Sequence, residues 1–195
     1  MVIAVNQIDS TLPIRVPRSE FVAGRLSLAF CNTVALPNAA DRLSDPASLA
    51  GWAQRAGHPL DIPPNRPDFE RFLALRTHLR AIFGALADGI PPPQASLDVL
   101  GQANGPLRLV WNSRARRATP FITGDDLSRL RQAITADAIS LLTGDNHARL
   151  KRCPADDCRW FFLDTSRNGT RRWCAMADCG TKDKVRQFRA RQAAF

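Results

Sequence analysis

Two pairs of cysteines constrain this chain more than any other feature: Cys153 with Cys158, and Cys174 with Cys179. Each pair is separated by four residues, and 15 residues lie between the pairs. A short turn between paired cysteines aims both thiolates at one point. Two such turns, joined by a linker of hairpin length, close a tetrahedron of sulfur, the coordination of a structural zinc ion at about 2.3 Å per bond. The competing readings are two disulfides or scattered free thiols. Four cysteines within 27 residues, with Cys31 left as an odd fifth far upstream, favour a metal in a reducing compartment. The expectation is one structural Zn2+ per chain, held by Cys153, Cys158, Cys174 and Cys179.

The same segment carries most of the charge. The 195 residues have a formal net charge of +9. Residues 1–148 hold 15 Arg and no Lys against 13 acids, a net of +2, whereas residues 149–195 hold 12 Lys or Arg against five acids, a net of +7. Four thiolates on Zn2+ carry −2, so the zinc-loaded tail falls to +5. That asymmetry points to a polyanionic partner, above all nucleic acid, rather than to an evenly solvated surface. Hydrophobic residues make up 45% of the chain, enough for a buried core. No apolar run approaches the roughly 20 residues needed to span a bilayer. The N-terminus has neither a basic region nor a sustained apolar run, and Val2 excludes myristoylation. A cytoplasmic protein without a membrane partner is expected.

Upstream of the cysteines the pattern is helical. Residues 25–36 are apolar almost all round the wheel and read as a buried helix. Asp45-Pro46 reads as an N-cap and first helical position, opening a short helix to about Ala56. Pro67 opens a long helix to about Ala87, with a stripe of Phe72, Leu75, Leu79, Ile82, Phe83 and Leu86. A short helix is expected over 94–103, a strand over Leu107–Trp111, and a basic turn at Arg114–Arg117. Thr123-Gly124-Asp125-Asp126 reads as a capping box for a helix to about Leu142, ended by Gly144. The fold class is therefore mainly α: a helical domain, 1–148, followed by a small zinc-stabilised β-hairpin plus helix module, 149–195. In that module Arg159–Leu163 has a strand pattern and Asn168-Gly169 a hairpin-turn signal. Gly180–Gln192 reads as a basic amphipathic helix, with Val185 and Phe188 spaced to pack inward.

Trp160-Phe161-Phe162-Leu163-Asp164-Thr165-Ser166-Arg167-Asn168-Gly169, Arg171-Arg172-Trp173-Cys174-Ala175-Met176 and the Cys179-Gly180 turn resemble the CGNR-type zinc finger family. Its members pair this finger with an N-terminal helical domain known as ABATE. Phe21-Val22-Ala23-Gly24-Arg25-Leu26-Ser27-Leu28-Ala29-Phe30-Cys31-Asn32-Thr33 resembles the start of that domain. The resemblance implies a bacterial, stress-linked transcription regulator whose finger binds DNA. The chain reads Thr181-Lys182 where the family has Asn and Arg after the Gly. Zinc binding does not depend on those positions, but base recognition can, because Lys lacks the forked geometry of Arg.

The expected DNA contacts are Arg167, Arg171 and Arg172 on the turn, with Lys182, Lys184, Arg186, Arg189 and Arg191 on the last helix. The helical domain shows no P-loop, dinucleotide fingerprint, HExxH or GxSxG, so no enzyme and no catalytic residue is expected. Cys31 reads as a small core residue. Asn32 and Thr33 fall in the apolar first helix, and Arg76 lies on the apolar stripe between Phe69 and Phe83. Buried polar groups need partners. The expectations for Arg76 are a pair with Asp137, or an effector pocket with Asn32 for a small acidic molecule. Expected partners are thus duplex DNA, an acidic effector and a second copy in a homodimer. The alternative is a protein- or RNA-interaction module with purely structural zinc.

Overall fold

A computed structural model describes residues 21–34, 41–105, 108–114, 116–121 and 124–192. Its elements are α1 (Leu26–Cys31), α2 (Pro46–Arg55), α3 (Arg66–Ala87), α4 (Gln94–Ala103), β1 (Arg108–Asn112), β2 (Arg117–Phe121), α5 (Asp126–Thr143), β3 (Leu150–Arg152), β4 (Phe161–Leu163) and α6 (Thr181–Gln192). The expected mainly helical class with a small zinc module is what forms.

Local chemistry sets the helix starts. The Asp45 carboxylate accepts from Ser48 N at 2.8 Å while Ser48 Oγ accepts from Asp45 N at 3.1 Å, a reciprocal cap for α2. The Asn65 side chain accepts from Asp68 N at 2.9 Å and starts α3. Asp125, not Thr123, caps α5, accepting from Ser128 N at 2.8 Å. Thr123 lies outside the described residues. The first helix ends at Cys31, shorter than the expected 25–36. Its N-terminus lacks a local side-chain cap, and Asp137 of α5 supplies one, accepting from Ser27 N at 2.9 Å.

The core is built from α1, α2, α3 and α5. Phe30 sits 4.9 Å from Phe72 and 5.5 Å from Trp52, ring centre to ring centre. Leu79, Ile82, Phe83, Leu130 and Ile134 are fully buried around them. Leu150, Phe161 and Leu163 of the β3–β4 pair join this same core. Phe161 lies 6.3 Å from Phe83, with the guanidinium groups of Arg80 and Arg152 at 5.6 and 5.7 Å from its ring centre. Arg152 also reaches Asp88 at 2.9 Å. The module is therefore held on the helical body by apolar burial as well as by hydrogen bonds.

The strand expected near Leu107–Trp111 is β1, and it pairs antiparallel with β2 from Arg108↔Phe121 to Asn112↔Arg117. In the module β4 pairs with β3, so the hairpin turns through the first cysteine pair and not through Asn168-Gly169. Gly169 does adopt a turn, with φ +64, but no strand follows it.

Candidate metal centre and nucleic-acid interface

Each cysteine pair is presented by a different local device. At the β3–β4 turn, Cys153 N donates to Trp160 O at 2.7 Å and Cys158 N to Ala155 O at 3.1 Å. Arg159 takes φ +58, a left-handed residue that swings the chain back into β4. In the second pair Cys174 precedes, and Cys179 lies within, a single wide turn over Met176–Gly180, closed by Gly180 N donating to Ala175 O at 3.2 Å. A Cβ at Gly180 would fall 2.2 Å from Sδ of Met176, an exposed and flexible side chain that would have to move aside, and 3.2 Å from Trp173 Cδ1. Thr181 Oγ1 then donates to Met176 O at 3.1 Å, joining the turn to α6.

These devices bring the four sulfur atoms within 4.8 Å of one another. Cys158 Sγ lies 3.5 Å from Cys174 Sγ, which lies 3.7 Å from Cys179 Sγ. A tetrahedron with bonds of about 2.3 Å has edges of about 3.8 Å, so the cluster has the size zinc requires. All four cysteines are free of disulfides. Thiols this close resist joint ionisation. S–H donation from Cys158 and Cys174 pulls Cys153 down to about 2, while the Cys153 thiolate pushes Cys158 up to about 12 and raises Cys174. Burial raises Cys179. A dication at the centre supplies the charge that lets all four act as thiolates. The four cysteines fit one structural zinc ion.

Residues 149–192 match the family model for the CGNR zinc finger, and residues 24–145 match the ABATE model, described as "putative stress-induced transcription regulator". The chain belongs to the ABATE family. No curated protein matches it. Both matched families are of the zinc-finger and regulator type rather than enzyme families. No helix among the described residues is long and apolar enough to cross a membrane.

The CGNR finger also holds a buried carboxylate, Asp164. Asp164 accepts from Lys151 Nζ at 2.6 Å, Ser166 N at 3.0 Å and Arg171 N at 2.9 Å. Lys151 and the Ser166 hydroxyl hold its carboxyl well below the usual carboxylate range. This knot folds residues 164–171 back onto β3. Nothing in the cysteine spacing signals it; a lone Asp after an apolar strand reads as a turn residue until its partners are known.

The finger's basic residues fall into three groups. Arg171 faces inward. Its guanidinium lies 4.7 Å from the Phe162 ring centre, and it donates to Trp173 O at 3.0 Å, to Val22 O at 3.2 Å and to Cys174 O. Lys182 and Arg186 are exposed but paired: Lys182 with Asp157 at 2.9 Å, Arg186 with Asp183 at 2.8 Å and Asp156 at 3.4 Å. Both reach across to the first cysteine turn. Arg167, Arg172, Lys184, Arg189 and Arg191 are exposed and have no carboxylate partner among the described residues. Arg172 stacks on Trp173 at 4.8 Å. Arg159, also exposed, joins this last group and was not singled out from the sequence.

Two inward expectations fail. Val185 and Phe188 are 43% and 60% exposed. The main packing of α6 is with the Met176–Gly180 turn, and no other described element packs on it as extensively. In the ABATE domain Arg76 is 6% exposed, as expected, but its carboxylate is Asp41 rather than Asp137. Arg76 Nη1 donates to Asp41 Oδ1 at 2.8 Å and to Thr33 Oγ1 at 2.7 Å, and Nη2 donates to Asp41 Oδ2. Asp137 pairs with Arg25 at 2.9 Å. Asn32 is engaged with Phe161, so protein atoms satisfy both Asn32 and Arg76. Cys31 is buried, and burial pushes its thiol up to about 12, as befits an inert core residue.

Proposed function

We propose that this chain is a DNA-binding transcription regulator whose CGNR finger, 149–195, grips duplex DNA, while the ABATE domain, 1–148, senses a signal or brings two copies together. The observation that carries this reading is α6, which leaves the second cysteine turn with Lys184, Arg189 and Arg191 exposed, while Arg167 and Arg172 are exposed on the segment that precedes that turn. A single helix of this kind enters a major groove, and cations on an adjoining loop hold the flanking phosphates. Lys182 and Arg186 lie against the first cysteine turn through Asp157 and Asp156. Their exposed ion pairs are worth roughly 0–1 kcal/mol, so phosphates compete for them readily. Arg171 serves the finger's architecture instead of touching DNA.

The test is a salt-titrated binding assay on duplex DNA with zinc-loaded protein. Five phosphate contacts from the finger contribute about −4.5 to the slope of log K against log salt. Replacing Arg172 and Arg189 with Ala flattens the slope by about two. Undetectable binding at low salt removes the proposal. A second reading, docking on another protein, is favoured by the exposed Val185 and Phe188. Failure on DNA and duplex RNA alike promotes it.

A further inference from the structure

None of the described side chains of the β1–β2 hairpin is among the buried residues of the core or the finger. Its strands make their main packing contacts with each other. It exposes Val110 and Trp111, at 41% and 63%.

Its charge is one-sided. Residues 99–124 contain Arg108, Arg114, Arg116 and Arg117 and no acid of either kind. Arg114 and Arg116 sit exposed at the tip. Arg116 takes φ +49, where glycine or asparagine is the usual choice for a hairpin turn. Keeping a charged residue in a strained position at an exposed tip is a pattern of functional sites rather than of stable turns.

We propose that this hairpin is a second, zinc-independent contact to duplex DNA, with Arg114 and Arg116 on backbone phosphates outside the segment held by the finger. The ligand follows from charge complementarity: a +4 stretch with no acid fits a polyanion, and a two-stranded ribbon is narrow enough to lie along a duplex groove. The proposal rests on the duplex-DNA reading for its ligand but uses none of the finger's residues. With the hairpin engaged, the total salt slope reaches about −6.3, seven contacts at about 0.9 each.

The experiment compares three full-length, zinc-loaded proteins in salt-titrated binding to duplex DNA: the parent, Arg114→Ala/Arg116→Gly, and Arg172→Ala/Arg189→Ala. Glycine at 116 accepts the backbone angle, and matched melting curves confirm that the fold is kept. The hairpin variant flattens the slope by about 1.8, a loss of about 60-fold at 0.1 M salt if the titrations meet at 1 M. Its effect persists in chelator-treated protein. An unchanged slope for the hairpin variant, with a flattened one for the finger variant, overturns this proposal and leaves the finger reading intact. The reverse pattern sustains the hairpin and removes the finger. Unchanged DNA binding by the hairpin variant together with lost sedimentation on phosphatidylserine vesicles assigns the hairpin to a lipid surface and overturns the proposal.

Discussion

Asn32 pairs with Phe161 as a neighbouring strand would. Asn32 Nδ2 donates to Phe161 O at 2.8 Å, and Phe161 N donates to Asn32 Oδ1 at 2.9 Å. One buried amide side chain at the end of α1 thus satisfies both backbone groups of Phe161 in the finger strand β4. Replacing Asn32 with Ala orphans a buried N–H and a buried C=O, each worth about 1–3 kcal/mol. The expected loss is about 2–4 kcal/mol in urea unfolding. Because Phe161 belongs to the helical core, the ABATE and CGNR parts should still melt in one transition. Two separated transitions in the parent would show that the pair does not couple them.

Purified protein should contain one zinc per chain by elemental analysis, and Cys174→Ser should abolish it. Chelation removes a ligand that binds only the folded state, so it should lower the melting temperature of the whole chain and not of the finger alone. Metal-free parent protein, or disulfides among the four cysteines in mass spectrometry, would contradict the centre described above.

Phe188→Ser and Val185→Ser should each change stability by no more than about 0.5 kcal/mol, as expected for exposed positions. Phe161→Ala, by contrast, should lose about 3–5 kcal/mol. A large loss at Phe188 would mean that α6 packs on the body in solution.

These contrasts show where the sequence is legible. Helix positions were readable because their signals are local: Asp45-Pro46 and the apolar stripe of α3 need nothing distant. The four cysteines were readable because spacing alone fixes where two short turns can aim. What escaped was nonlocal. The strand β3 is three residues long with two cations, and it becomes a strand only by pairing with β4. The strand β2 includes Pro120, which argues against a strand unless it lies at an edge. Helical periodicity placed Arg76 inside but could not say which carboxylate from a connecting segment folds over it, so Asp41 was missed in favour of a helical residue. The inward expectation for Phe188 assumed a neighbour that no described element supplies, and the ring is 60% exposed.

Asp164 makes part of the stability pH-dependent. Its folded carboxyl is held low, by Lys151 first. Such a group contributes stability that is fully present above its unfolded value of about 3.9 and is lost as pH falls toward the folded value. Acid unfolding of the parent should therefore begin below about pH 4. Asp164→Asn should be less stable at neutral pH and show a shallower decline on acidification. Parallel stability profiles for the two proteins would remove Asp164 from the account.

Arg171 and Arg172 are adjacent in sequence and opposite in role, which gives the sharpest single comparison. Arg171 ties the chain to Val22, Trp173 and Cys174 through backbone carbonyls and covers Phe162. Charge-assisted hydrogen bonds are worth about 1.5–3 kcal/mol each, and those here share one partly buried group, so Arg171→Ala should lose about 2–4 kcal/mol of stability. At temperatures where the variant stays folded, its salt slope on duplex DNA should match the parent. Arg172 is exposed and stacks on the Trp173 ring. Arg172→Ala should leave stability within about 0.5 kcal/mol and flatten the salt slope by about 0.9, one phosphate contact. Arg171→Lys supplies the control: it keeps the charge but not the planar fork, so it should remain destabilised. If Arg171→Ala is stable and flattens the slope while Arg172→Ala does neither, the inward and outward assignments are exchanged.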